Sequence, residues 1–109
     1  MKILIIDDER SIRNSLKEIL VDEGYDVDLA ENGSQGCAMV DKEKYSVIFC
    51  DIKMPEMDGM EVLDRFNQMG IDAAVVMISG HGDIAVAVEC IKKGAFDFIP
   101  RPLDLNRIL

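Results

Sequence analysis

The chain has 109 residues, of which 49% are hydrophobic, and its 12 basic and 21 acidic residues give a formal net charge of −9. This length corresponds to one domain that can bury a core, and the hydrophobic fraction excludes a disordered acidic tail. The strong negative charge argues against direct binding to nucleic acid or to an anionic membrane surface, because both need clustered Lys and Arg.

The pattern of apolar residues predicts a helix after each of the first strands. Residues 2–6 predict a strand buried on both faces, and residues 8–23 predict a helix with an apolar face of Ile12, Leu16, Ile19 and Leu20. Residues 26–30 alternate as a strand with Val27 and Leu29 inward, and residues 34–43 follow as the second helix.

The second half of the chain repeats this alternation. The remaining strands are predicted at 46–50, 73–78 and 95–99, and the remaining helices at 60–69, 83–93 and 103–109. Such βαβ units form a parallel sheet with right-handed crossovers. We therefore predict an α/β fold, a doubly wound five-stranded parallel sheet sandwiched by helices, flavodoxin-like with strand order 2-1-3-4-5. We expect one domain, residues 1–109, whose last helix is truncated at the C-terminus because it stops after less than two turns.

Cysteine usage and the absence of targeting signals predict a cytoplasmic protein. Cys37, Cys50 and Cys90 form no C-x-x-C pair, and a single histidine leaves no zinc set, so we expect them to be small side chains of the core. The apolar run that ends at Ile6 is too short for a signal peptide, and the run at 73–78 is too short to span a bilayer.

Polar residues at the strand ends predict the site, because ligands of such sheets bind beyond the carboxyl ends of the strands. Asp7 and Asp8 follow the first strand, Asp51 ends the third, Ser79 ends the fourth, and Arg101 follows the fifth. Three carboxylates, a hydroxyl and a cation are therefore expected at one edge of the sheet.

This set of residues suits a magnesium-dependent phosphoryl site. Oxygen ligands at an open pocket favour Mg²⁺, and a hydroxyl with a cation opposite can hold a phosphoryl group. An Asp carboxylate at the centre can be the nucleophile that forms an aspartyl phosphate. Acids at strand ends are also common as helix caps, and Asp8 or Glu9 can simply begin the first helix.

Four segments carry a resemblance to a known family that extends over the whole chain. They are I-I-D-D-E at 5–9, D-I-K-M-P-E-M-D-G at 51–59, M-I-S-G-H at 77–81 and K-G-A-F-D-F-I-P-R-P at 93–102. With these segments the chain resembles a response-regulator receiver domain of two-component signalling. Residues 80–83 and 94–98 are most similar to receivers of enhancer-binding transcription activators.

The resemblance implies a phosphoacceptor and a metal site. Asp51 would receive the phosphoryl group from a sensor histidine kinase. Asp8, Asp51 and the backbone carbonyl of Lys53 would bind Mg²⁺ directly, and Asp7 would act mainly through water.

The resemblance also implies the residues that respond to phosphorylation. Ser79 and Phe98 fill the two switch positions, and Pro55 and Gly59 would shape the loop after Asp51, since Pro fixes φ and Gly permits conformations that other residues avoid. Arg101 stands where the family nearly always has Lys. Its planar fork on a longer stem is expected to keep phosphate attraction. It can either pair with the phosphoryl group in a bidentate way that works as well as Lys, or weaken the coupling to Ser79 and Phe98, and we favour the second outcome.

The implied function is a signalling domain that promotes only its own phosphotransfer and autodephosphorylation, and is otherwise not an enzyme. Phosphorylation would switch the face formed by helix four and strand five, with a homodimer through that face as one form of output. The partners would be a histidine kinase and an effector domain, in the same chain or in another protein, which controls transcription.

Three other functions can be weighed from the sequence. A stand-alone phosphorelay intermediate would use the same residues. A phosphatase of the haloacid-dehalogenase type would place its nucleophile after strand one, and a flavin-binding module would have Ser, Thr or Gly where this chain has Asp7, Asp8 and Glu9. His81, the sole histidine, is interpreted as a solvated residue at the rim rather than a general base.

Overall fold

A computed structural model describes residues 1–80 and 84–100 of the chain. The strands are β1 (Lys2–Ile6), β2 (Asp26–Ala30), β3 (Val47–Asp51), β4 (Ala74–Ser79) and β5 (Asp97–Pro100). The helices in the described part are α1 (Arg10–Asp22), α2 (Gly33–Lys42), α3 (Gly59–Met69) and α4 (Ile84–Lys92). The predicted helix at 103–109, together with His81, Asp83 and Arg101, lies outside the described residues.

All strand pairs are parallel, and the sheet order is β2-β1-β3-β4-β5, so the predicted fold is confirmed. Among the strands, β5 differs most from its predicted bounds. Ala95 does not join the strand because its backbone N–H donates to the carbonyl of Cys90 and closes the turn after α4.

Both faces of the sheet are buried, which explains why the central strands read as continuous apolar runs. In β1, Leu4 and Ile6 belong to the apolar layer that also contains buried residues of α3 and α4, whereas Ile3 and Ile5 belong to the layer that contains those of α1. Val27 of β2 is buried as expected, and Leu29 is half-buried against the α1 layer.

The first helix differs from the expectation in its start and in its buried face. α1 begins at Arg10 rather than at residue 8, and its N-cap, Glu9, makes no capping bond with its side chain. Its buried residues are Arg13, Leu16 and Leu20, whereas the predicted Ile12 and Ile19 are only half-buried. The helix is therefore rotated so that a charged residue takes a core position.

Side-chain caps fix the loops at the carboxyl edge of the sheet. Asn32 caps α2 by accepting a hydrogen bond from the backbone N–H of Gln35 at 2.8 Å. Asp58 caps α3 in the same way, with the N–H of Glu61 at 2.9 Å. Each cap satisfies a backbone donor at the helix start that would otherwise lack a partner.

The cysteines behave as predicted in two of three cases. Cys50 and Cys90 are buried, Cys37 is half-buried, and all three are free thiols. Burial raises the pKa of each thiol, which disfavours the reactive thiolate. Within residues 1–80 and 84–100, every helix is too short or too polar to cross a membrane.

Candidate functional site

Three carboxylates from two neighbouring strands meet at the carboxyl edge of the sheet. Asp7 and Asp8 follow β1, and Asp51 is the last residue of β3, the strand paired with β1. One carboxylate oxygen from each residue lies within 4.8 Å of the others. The strand-end argument thus identified residues that the fold does bring together.

The three acids differ in burial. Asp7 is fully buried and Asp51 is 3% exposed, whereas Asp8 faces solvent. The carboxylate of Asp7 accepts a hydrogen bond from the backbone N–H of Glu9 at 2.9 Å, and this bond holds the chain as it leaves β1. The acidic cluster therefore has a buried floor and one open side, formed by Asp8.

The donor set of this cluster fits a hard divalent cation. Carboxylates brought this close repel one another, and a bound cation relieves that repulsion. An all-oxygen set with one solvent-facing member suits Mg²⁺, which binds few protein carboxylates and keeps several waters. Asp8 and Asp51 could bind such an ion directly.

Ser79 adds a buried hydroxyl at the end of the next strand. Its side chain is fully buried, and its Oγ has no hydrogen-bond partner among the described residues. Asp51 pairs in register with Ile78, so Ser79 lies one position beyond Asp51 along the same edge. A buried hydroxyl without a partner is costly, and such groups are frequent where a ligand binds.

Phe98, the second predicted switch residue, lies on the strand next to that of Ser79. Phe98 lies in β5, in register with Met77, and its half-buried ring packs against the apolar layer beneath α3 and α4. Arg101 lies outside the described residues.

The loop after Asp51 is tightly constrained, for a reason that differs from the prediction. Gly59 does not have a positive φ, so conformational freedom is not what requires glycine there. A Cβ on Gly59 would instead lie 2.4 Å from the carbonyl oxygen of Asp51 and 2.7 Å from the Cα of Ile52. Glycine is needed because the start of α3 lies directly against the strand end.

The strained residue of this loop is Glu56, not a glycine. Its φ is 68°, and the N–H of Met57 donates to the carbonyl of Pro55 at 2.8 Å, which defines a γ-turn centred on Glu56. Pro55 is the first residue of this turn, and Lys53 is an exposed residue two positions beyond Asp51.

One residue near the site was missed by the sequence analysis. Arg13 is 8% exposed, and its Nη1 donates to the carbonyl oxygen of Asp7 at 2.8 Å. The sequence did contain a signal, because Arg13 shares the helical face of Leu16 and Leu20. A charged residue on an apolar face needs a buried partner.

The helix α4 leaves much of its apolar surface uncovered. Within α4 only Ala87 and Cys90 are buried, and the exposed large apolar residues are Ile84, Val86, Val88 and Ile91. Phe96, in the turn before β5, is 74% exposed. The sequence of α4, I-A-V-A-V-E-C-I-K, accordingly contains more apolar residues than one sheet-facing stripe requires.

The flavodoxin-like sheet, with an acidic cluster at its carboxyl edge, places this chain in the class of small α/β domains, whose ligands bind beyond the strand ends. The family model for the response regulator receiver domain matches residues 3–109. The chain therefore belongs to the receiver domain family, and the resemblance seen in its motifs is confirmed.

Relatives in the family come from several kinds of regulator. The chain is 40% identical over 109 residues to the nitrogen assimilation regulatory protein NtrX of Azorhizobium caulinodans, covering 98% of the chain and 24% of that protein. It is 39% identical over 110 residues to the chemotaxis protein CheY of Listeria monocytogenes, covering all of the chain and 92% of that protein. The chain thus spans nearly all of one relative but only a quarter of the other.

Solved structures show the same architecture. A response regulator receiver domain from Clostridium thermocellum matches with a TM-score of 0.93 at 31% identity, covering 98% of this chain and 86% of that one. The receiver domain of NtrX from Brucella abortus matches with a TM-score of 0.92 at 37% identity, covering 97% and 90%. These matches to NtrX confirm the similarity to receivers of enhancer-binding activators.

Proposed function

We propose that this domain accepts a phosphoryl group on Asp51 from a sensor histidine kinase, in a reaction that depends on Mg²⁺. The observation that carries the proposal is the acidic cluster of Asp7, Asp8 and Asp51, with one oxygen of each within 4.8 Å. Family membership supplies the partner class, because response regulators of two-component systems act with histidine kinases.

Each acid has a distinct role in the proposed site. Asp8 and Asp51 would bind Mg²⁺ directly, with the backbone carbonyl of Lys53 as the third protein ligand. Asp7 is fully buried, so it would act through water and through the fixed chain that carries Asp8. The ion would neutralise the charge that develops on the phosphoryl oxygens.

Asp51 would be the nucleophile. A carboxylate oxygen of Asp51 attacks phosphorus, and the bond from phosphorus to the imidazole nitrogen of the kinase breaks, so that the histidine leaves with its electron pair. Asp51 is 3% exposed and ends a central strand, which fixes its carboxylate before the donor arrives.

Ser79 and Phe98 would couple the phosphoryl group to the far face of the domain. The buried hydroxyl of Ser79 has no partner among the described residues, and a phosphoryl oxygen would provide one. Movement of Ser79 toward that oxygen would make room for the half-buried ring of Phe98 to turn inward. Arg101 would supply the positive charge opposite the metal.

The exposed apolar face of α4 and β5 would be the output surface. It would bind a second copy of the domain or an effector domain that controls transcription. As a receiver domain the chain would carry out no catalysis beyond its own phosphotransfer and autodephosphorylation, and we expect it in the cytoplasm.

Phosphorylation with a small donor tests the acceptor. Incubation with acetyl phosphate and Mg²⁺ should add the mass of one phosphoryl group in a hydroxylamine-labile linkage. Asp51→Asn should add none, while Asp41→Asn, an exposed acid remote from the cluster in sequence, should behave as wild type. Modification of Asp51→Asn at the wild-type rate would contradict the proposal.

Two matched substitutions test the output surface. Ile91 on α4 and Val21 on α1 are both partly exposed, at 38% and 47%. Ile91→Lys should weaken dimerisation of the phosphorylated protein in light-scattering chromatography, whereas Val21→Lys should not. Equal dimerisation in the two variants would show that the output does not use α4.

A further inference from the structure

Arg13 is a buried cation beside an acidic cluster, yet the contacts it makes are with the main chain and with an outer loop. Its Nη1 donates to the carbonyl oxygen of Asp7 at 2.8 Å, and its Nη2 lies 3.8 Å from a carboxylate oxygen of Glu31. The Arg13 side chain is 10% exposed, whereas that of Glu31 is 72% exposed. The guanidinium therefore connects the β1–α1 loop to the β2–α2 loop from inside the domain.

The contact on Asp7 is one of several bonds that fix this residue. The backbone N–H of Asp7 donates to the carbonyl of Ala30 at 3.1 Å, and its carboxylate accepts from the N–H of Glu9 at 2.9 Å. Arg13 provides the donor for the remaining backbone group, the carbonyl. This carbonyl belongs to the peptide that joins Asp7 to Asp8, so the orientation of that peptide plane determines the position of the Asp8 backbone.

The loop on the other side of Arg13 is itself held firmly. Gln35 accepts a hydrogen bond from the backbone N–H of Glu31 at 2.7 Å, and Asn32 caps the helix that follows. Arg13 thus braces the Asp7–Asp8 peptide against a capped helix start. Such a brace holds a solvent-facing ligand residue in one position, which an exposed side chain alone would not achieve.

We propose that Arg13 is a positioning residue for the metal site, which holds the peptide between Asp7 and Asp8 so that Asp8 meets Asp51 across the pocket. This inference rests on the proposed Mg²⁺-dependent function. Removing the partner of a ligand residue weakens metal binding about tenfold or more.

The positive charge of Arg13 and its proposed positioning role predict opposite changes in Mg²⁺ affinity when Arg13 is replaced. The direction of the measured change therefore tests the proposal. A cation near the pocket repels Mg²⁺, so removing its charge alone would tighten metal binding. A role in positioning predicts weaker binding when the same side chain is removed. Arg10 is the matched control, because it is an exposed arginine at the start of the same helix.

Calorimetric titration with Mg²⁺ separates these cases. Arg13→Gln should bind Mg²⁺ about tenfold more weakly than wild type, while Arg10→Gln should bind it as well as wild type or slightly better. Arg13→Lys, which keeps the charge and a donor but not the planar fork, should fall between Arg13→Gln and wild type. Amide exchange at Asp8 and Glu9 in metal-free protein should be faster in Arg13→Gln than in Arg10→Gln.

Several outcomes would overturn the proposal. Wild-type or tighter Mg²⁺ binding in Arg13→Gln would show that Arg13 does not position Asp8. If circular dichroism shows that Arg13→Gln does not fold, Arg13→Lys replaces it in the test. Wild-type Mg²⁺ affinity in Arg13→Lys would then contradict the positioning role of Arg13. Absence of Mg²⁺ binding in the wild-type protein would instead refute the proposed function, so the two failures are distinguishable.

Discussion

Acidic residues at the two ends of the β-sheet have opposite surroundings: hydrogen-bond donors and a cation toward one end, other acids at the other. At the amino end, Asp28 accepts a hydrogen bond from the Tyr45 hydroxyl at 2.7 Å and lies 3.6 Å from the Lys2 ammonium, which also contacts Glu43 at 3.1 Å. At the carboxyl end, Asp7, Asp8 and Asp51 bring three like charges within 4.8 Å.

The acids at one end of the sheet stabilise the fold, whereas those at the other end belong to the proposed functional site. Toward the amino end Asp28 and Glu43 each meet a donor of this chain, so this network stabilises the native state. At the carboxyl end the three acids lie close enough to repel one another, and we expect this repulsion to lower the stability of the metal-free protein. This arrangement fits the cation site proposed above for Asp7, Asp8 and Asp51.

The sharpest test of this contrast removes one acid from each end. Asp8→Ala should weaken Mg²⁺ binding about tenfold or more and leave the free energy of unfolding of the metal-free protein unchanged or higher. Asp28→Ala should leave Mg²⁺ binding intact and lower the free energy of unfolding by about 1–3 kcal/mol, because the Tyr45 hydroxyl loses its acceptor. Urea unfolding without metal and calorimetric titration measure the two quantities.

The contrast fails if both substitutions change stability in the same direction by the same amount. Equal Mg²⁺ affinity in Asp8→Ala and wild type would remove Asp8 from the proposed ligands.

A smaller effect is expected from the phenol alone. Tyr45→Phe should lower the free energy of unfolding by about 1 kcal/mol, the net value of a hydrogen bond. Burial and the hydrogen bond to Asp28 raise the pKa of Tyr45 well above its ordinary value of 10.0. The unfolded phenol therefore loses its proton first, so this contribution is complete below pH 10.0 and declines as the pH rises further.

The alkaline decline should be shallower in Tyr45→Phe than in Tyr25→Phe, which keeps the Asp28 contact. Identical pH profiles of stability in the two variants would show that Tyr45 ionises as it does in the unfolded chain.

The smallest effect concerns Lys2, whose pKa is raised chiefly by its hydrogen bond to Glu43. Lys2→Met should lower stability less than Tyr45→Phe, because exposed ion pairs contribute little and salt screens them. Denaturation at low and high salt should show the deficit shrinking as salt increases. A deficit that exceeds that of Tyr45→Phe and is insensitive to salt would mean that the ion pair, not the phenol, dominates the amino end.

The sequence predicted best those features that depend on a single strand, namely its bounds and the residue at its end. A strand buried on both faces leaves a short apolar run, and an edge strand leaves an alternating one, so β1 and β2 were predicted at their observed bounds. Reading the residue that ends each strand then identified Asp7, Asp8 and Asp51, because parallel strands place their carboxyl ends along one edge.

Features that depend on distances between separate segments could not be predicted. The buried state of Asp7 beside the exposed Asp8, and the contact of Arg13 with the Asp7 carbonyl, arise only when α1 packs on the sheet. The need for glycine at position 59 was anticipated for the wrong reason, since the cause is a neighbouring backbone and not the φ of Gly59 itself.

The close approach of Gly59 to the strand end has a consequence for building chimeric receivers. The Gly59 N–H donates to the carbonyl of Ile52 at 2.7 Å, and its missing Cβ leaves room for the carbonyl of Asp51. The end of β3 and the start of α3 are therefore one block that must be exchanged between proteins whole. A crossover placed between residues 51 and 59 would join backbones that were never fitted to each other, whereas one after Gly70, which ends α3 in a left-handed turn, would keep that fit intact.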